Sequence, residues 1–149
     1  MPRFTRVPTT LYRIKSQPSV RLRDYQIQMG LGRTSYDLKL VDQLVQPLPI
    51  PSSFHTPNGM SLRPAGPNMI SILERFRGSP IIFTLACGLE LPQGLCLYHE
   101  HSDHYSLQTT VPVALQDFNE SLTRFLSALP RQTKDQFLAQ MMDEDDQDN

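Results

Sequence analysis

The run His99-Glu100-His101-Ser102-Asp103-His104-Tyr105-Ser106-Leu107-Gln108 carries three of the chain's four histidines, two carboxylates and a tyrosine. It lies between apolar segments, where polar density is costly unless satisfied or used. Imidazole and carboxylate groups are apt zinc ligands, and an open zinc site activates water. The bland alternative is a polar strand end with solvated imidazoles. Three residues far upstream carry chemistry of a different kind. Arg13 offers a forked guanidinium suited to phosphate, and Arg63 is a second phosphate candidate. Ser61 follows Gly59 in a loop where backbone can approach a ligand closely. Each has an ordinary reading as well: an exposed strand arginine, a turn serine.

The spacing His99-x-His101-x-Asp103-His104 resembles the zinc motif of metallo-β-lactamase-like hydrolases, and like that motif it follows an apolar strand. The resemblance implies further histidine and aspartate ligands downstream and a glycine-rich turn after the motif. Neither is present: no histidine follows His104, and Tyr105-Ser106-Leu107-Gln108 is not such a turn. A zinc hydrolase using His99, His101 and His104 is therefore a remote alternative, and no metal ligand set is assigned.

The elements that position these residues follow from pattern. The chain has 149 residues and a net charge of −1, which fits one domain and gives no overall basic field for nucleic acid. Charge is uneven: Arg3, Arg6, Arg13, Lys15, Arg21 and Arg23 face Asp24 alone in the first thirty residues, while 143–149 is mostly acidic. Residues 1–8 read as a flexible N-terminus, 9–142 as the domain and 143–149 as a disordered acidic tail. Cys87 and Cys96 both sit in apolar runs and read as free thiols. No apolar leader core and no run near 20 apolar residues is found, so a cytoplasmic location is expected. Thirteen prolines, clustered at 47–51 and 57–67, argue for extended loops across the middle.

Thr9 to Lys15 reads as a strand, with Arg13 and Leu11 on one face and Tyr12 and Ile14 on the other. Residues 36–46 allow strand or short helix. Asn68 reads as an N-cap for a helix through Phe76, stopped by Gly78. Strands follow at Ile81–Leu85, Leu95–His99 and Tyr105–Val111. Leu115 to Leu129 reads as an amphipathic helix ended by Pro130, and a last helix spans Lys134–Met142, capped by Thr133. The order predicts an α+β fold with mainly antiparallel sheet.

Several segments, taken in order, carry a resemblance over roughly residues 9–129. They are Leu11-Tyr12-Arg13; Thr56-Pro57-Asn58-Gly59-Met60-Ser61-Leu62-Arg63; Leu91-Pro92-Gln93-Gly94-Leu95; His104-Tyr105-Ser106-Leu107; Val113-Ala114-Leu115; and Leu122-Thr123-Arg124-Phe125-Leu126. Together they resemble the ADP-ribosyltransferase-like toxins typified by the second exported effector of a bacterial type VI secretion system, most of all the homologous fungal domains. The resemblance implies antiparallel sheets around a cleft with flanking helices, NAD as the bound dinucleotide, and an immunity protein where the producing cell needs protection. It implies Arg13 on pyrophosphate with Arg63 as a second contact, Ser61 on the nicotinamide ribose or amide, and His104 and Tyr105 at the nicotinamide ring. It also leads one to expect a late glutamate, which stabilises positive charge at the anomeric carbon. Gln108 stands at the candidate position and is neutral, and the direction of Glu100 on the preceding strand is not readable. The expected function is an intracellular toxin that transfers ADP-ribose from NAD or hydrolyses NAD, with Arg13, Ser61 and Gln108 catalytic. A non-enzymatic interaction module, docking through its proline-rich middle as polyproline II or through the 115–129 helix, is the main alternative.

Overall fold

The computed structural model describes residues 2–47 and 57–147. The elements run β1 (Arg3–Phe4), β2 (Leu11–Lys15), α1 (Tyr25–Gly30), β3 (Met60–Leu62), α2 (Pro67–Arg75), β4 (Ile81–Leu85), β5 (Leu95–His101), β6 (His104–Thr109), α3 (Leu115–Ser127), β7 (Arg131–Gln132) and α4 (Lys134–Gln147). Two sheets form, in the orders β1-β5-β6-β3 and β2-β4-β7, and every ladder in both is antiparallel. The architecture is mixed helix and antiparallel sheet, an α+β arrangement.

The second sheet is buried on both faces, which explains why β4 is a continuous apolar run rather than an alternating one. In register, Leu11 pairs Leu85 and Arg13 pairs Phe83, and Leu11, Leu85 and Phe83 enter the main core. Tyr12 and Ile82 enter a smaller core with Met69 and Leu73 of α2 and Phe137 of α4. Tyr12 and Phe137 meet edge to face with ring centroids 5.1 Å apart. The main core lies between one face of the four-stranded sheet (Met60, Leu62, Leu97, Leu107) and the apolar stripe of α3 (Phe118, Leu122, Phe125, Leu126). Each of these large side chains contributes about 1.5–3 kcal/mol by burial.

Several elements depart from the sequence expectation. The segment expected to be flexible is tied down: Arg3 and Phe4 pair with Tyr98 and Leu97, and Val7 is buried in the main core. Helix α4 continues to Gln147, past the start of the expected disordered tail. It begins with a reciprocal cap, in which Thr133 Oγ1 accepts from Gln136 N–H and Gln136 Oε1 accepts from Thr133 N–H. Helix α2 starts one residue pair earlier than expected, with Gly66 as N-cap and Pro67 in the first turn. Asn68 is inside that helix, where its amide donates to Asp103 at 2.9 Å. Residues 36–46 are neither strand nor helix but a loop pinned by backbone bridges from Leu38 to Asp24 and from Val45 to Val113. Both cysteines are free, but Cys87 is exposed rather than packed. The proline cluster at 47–51 lies almost wholly outside the described residues.

Gly59 is the tight spot of the fold. A Cβ there would run into the Leu107 carbonyl oxygen and press on Gln108 Cγ and Ser106 Oγ at 3.0 Å, whereas Gly30 has open space. Gly59→Ala is expected to destabilise by about 1–3 kcal/mol, and Gly30→Ala to be neutral or stabilising by up to about 1 kcal/mol; paired thermal melts check the contrast. Asp103 supplies a second test. The Asn68 amide, then the Arg63 guanidinium, hold its carboxyl below the ordinary carboxylate range. A depressed folded-state value adds stability above the unfolded value, near 3.9, and loses it as pH falls through the folded one. The Tm advantage of the native protein over Asp103→Asn should therefore stand at neutral pH and shrink below about pH 4. For a half-buried pair still in reach of solvent it stays under about 1 kcal/mol.

Candidate functional site

The polar run of the sequence is the β5–β6 hairpin. A register shift between His99 and His101 and a positive φ at Ser102 (48°) close it. Alternation along β6 sends Tyr105 and Leu107 into the main core and His104, Ser106 and Gln108 to the opposite face. Ser61 pairs Ser106 across β3 and so shares that face. There the side chains join in sequence. Ser61 Oγ lies 3.0 Å from His104 Nε2, and His104 Nδ1 lies 2.8 Å from Glu100 Oε2. A neutral imidazole so placed donates Nδ1–H to the carboxylate and accepts the Ser61 hydroxyl proton at Nε2. The Glu100 side chain is 5% exposed, and its Oε1 is buried without a partner.

Arg13 reaches the same spot from the other sheet. β2 and β3 meet through two main-chain bonds, Tyr12 N–H to Arg63 O at 2.7 Å and Arg63 N–H to Tyr12 O at 3.2 Å. That splice aims Arg13 at β3, where Nη1 donates to the Ser61 carbonyl at 2.9 Å. Its Nε is buried and has no partner. Burial lowers the Arg13 pKa, Asp37 acts the other way, and Arg23 lowers it further. Burial and then the Arg13 charge likewise lower the pKa of Lys15. Arg63 donates to Asp103 Oδ1 at 2.9 Å. Arg13, Ser61 and Arg63 border a recess of about 180 Å³ with Tyr12, Ile14, Met69 and Ile72. A buried cation with an unspent N–H suits an anionic oxygen, because that contact satisfies both the charge and the donor.

Of the six residues singled out in the sequence, four come together: Arg13, Ser61, Arg63 and His104. Tyr105 does not. It is on the core face, stacked on His99 with centroids 4.3 Å apart and planes 9° apart, so it cannot meet a ligand beside Ser61. Gln108 shares the face of Ser61 but is wholly enclosed, accepting from Asn58 Nδ2 at 3.3 Å and donating to Ser106 Oγ at 3.1 Å. It braces the 57–59 turn instead of facing a ligand. His99 points away from His104, with Nε2 2.7 Å from the Ser102 carbonyl, so the His99, His101, His104 set of the remote zinc-hydrolase alternative is not assembled. Sequence reasoning left Glu100 unplaced. The signal for it was the Ser102-Asp103 turn, which folds residues 100 and 104 against each other. Two larger cavities, about 600 and 700 Å³, flank α3 and hold none of these residues.

The arrangement can bind an anion at Arg13, polarise the Ser61 hydroxyl through His104, and stabilise an imidazolium with Glu100. No curated protein and no solved structure matches the chain. The family model of the Tse2 ADP-ribosyltransferase toxin matches residues 9–137, which includes every member of the cluster. The chain belongs to the Tse2 ADP-ribosyltransferase toxin family.

Proposed function

We infer that this protein cleaves the nicotinamide–ribose bond of NAD and passes ADP-ribose to an acceptor or to water. The observation that carries this reading is the convergence on Ser61 of Arg13, bound to its carbonyl, and of the His104–Glu100 pair, bound to its hydroxyl. The free Nε of Arg13 takes a pyrophosphate oxygen, with Arg63 at the rim. The recess of about 180 Å³ is below the roughly 300–1,000 Å³ of whole-ligand pockets. It therefore takes the nicotinamide riboside end, and the adenosine end lies across the open side. Ser61 bonds the ribose. As nicotinamide leaves, positive charge grows at the anomeric carbon while the incoming nucleophile sheds a proton. That proton passes through the Ser61 hydroxyl to His104 Nε2, and Glu100 stabilises the imidazolium. Glu100 thus serves the proton transfer through His104, a role distinct from that of the anomeric-centre glutamate whose place Gln108 takes.

Such an activity acts as a poison in the cytoplasm, and an immunity protein would work by covering the recess. No described helix is long and apolar enough to cross a membrane. Induced expression in yeast or bacteria should arrest growth, and Arg13→Ala and Ser61→Ala should each relieve the arrest while keeping the native circular dichroism spectrum. NAD turnover should fall by about 10²–10³-fold in Arg13→Ala and about 10²–10⁴-fold in Glu100→Gln. Unimpaired growth with soluble native protein, or full toxicity in both folded alanine variants, would reject the assignment.

A further inference from the structure

The hairpin holds a second ligand set that overlaps the relay. Donor atoms of Glu100, His101 and His104 all lie within 4.8 Å of one another. The register shift before His101 turns its ring onto His104, with centroids 5.3 Å apart and planes 13° apart. The Oε1 oxygen of Glu100 is buried and unpartnered, so one carboxylate lone-pair set has nothing to bind. Two imidazoles and one carboxylate form the donor set of three-ligand zinc sites that keep a fourth position open. Calcium and magnesium call for oxygen donors instead. Zinc bonds of about 2.0–2.2 Å place tetrahedral ligand atoms about 3.4 Å apart. Closing from 4.8 Å falls to His101, which is exposed at the hairpin end.

The geometry points to a zinc site formed by Glu100, His101 and His104, whose occupancy shuts off the Ser61 relay. Both nitrogens of His104 are committed, one to Ser61 and one to Glu100. A metal that takes Nε2 separates His104 from Ser61; one that takes Nδ1 separates it from Glu100. Either way the relay and the metal exclude each other. The metal site stands on the hairpin geometry alone; its inhibitory effect rests on the function proposed above.

The test uses the full chain without an affinity tag, titrated with zinc chloride by isothermal calorimetry and checked by metal analysis after dialysis. One zinc per chain is expected. His101→Ala should weaken binding at least about tenfold, while His99→Gln, on the opposite face, leaves it unchanged. In metal-free buffer His101→Ala keeps native NAD turnover. Zinc should suppress turnover in the native protein and spare His101→Ala. No stoichiometric zinc, equal affinity in the native protein and His101→Ala, or equal loss in His99→Gln would overturn the site. Undiminished turnover by the zinc-loaded protein would overturn the competition. Stoichiometric zinc with the expected variant pattern, in a protein that never turns over NAD, supports the metal site and strikes the proposed function instead.

Discussion

The two main-chain bonds between Tyr12 and Arg63 are what the rest of the molecule depends on. They are the main-chain seam between two sheets whose apolar side chains also meet in the main core. Because side chains alternate along a strand, fixing Tyr12 at this seam fixes where Arg13 points. Tyr12 turns into the small core against Phe137, and Arg13 turns to the Ser61 carbonyl. A slip of one residue in β2 would exchange the two, burying a guanidinium among Met69, Leu73 and Ile82. Register in this strand is therefore enforced by the cost of an unpaired buried charge as much as by apolar packing.

The four-stranded sheet shows the same economy on its two faces. One face is apolar and rests on α3. The other carries Ser61, His104, Ser106 and Gln108, and within the fold it is almost as enclosed. Burial of polar groups on this scale is stable only when they satisfy one another. Gln108, Ser106 and Asn58 do so completely at one end. At the other end satisfaction stops short, leaving Arg13 Nε and Glu100 Oε1 without partners. The completed end acts as scaffold, and Gly59 lets it close. The incomplete end has unused donor and acceptor capacity, and that capacity is where a ligand has something to gain.

Much of this was legible in the residues. The alternating or apolar runs of β2, β4, β5 and β6 and the stripe of α3 each announced their element, because burial imposes a period. Arg13, Ser61 and Arg63 were recognisable by chemical type. What escaped was governed by contacts distant in sequence or by single turns. β1 and β7 are two residues long and exist only as partners to β5 and β4, and α1 has no apolar period, with Ile27 mostly exposed. Tyr105 was misplaced because a ring that can stack on a ligand can equally stack on His99; only the parity of β6 decides, and the parity follows from where the hairpin turns. The same turn brings Glu100 to His104, which no periodicity reports.

Two hydrogen bonds join Glu100, His104 and Ser61, and the proposed relay runs through them in one direction. Nitrogen-15 NMR of the His104 ring, at about pH 8.5 where an ordinary imidazole is neutral, tests it most directly. The relay requires the proton on Nδ1, facing Glu100, and a bare Nε2 facing the Ser61 hydroxyl. A protonated Nε2, or a ring exchanging freely between tautomers, would contradict it.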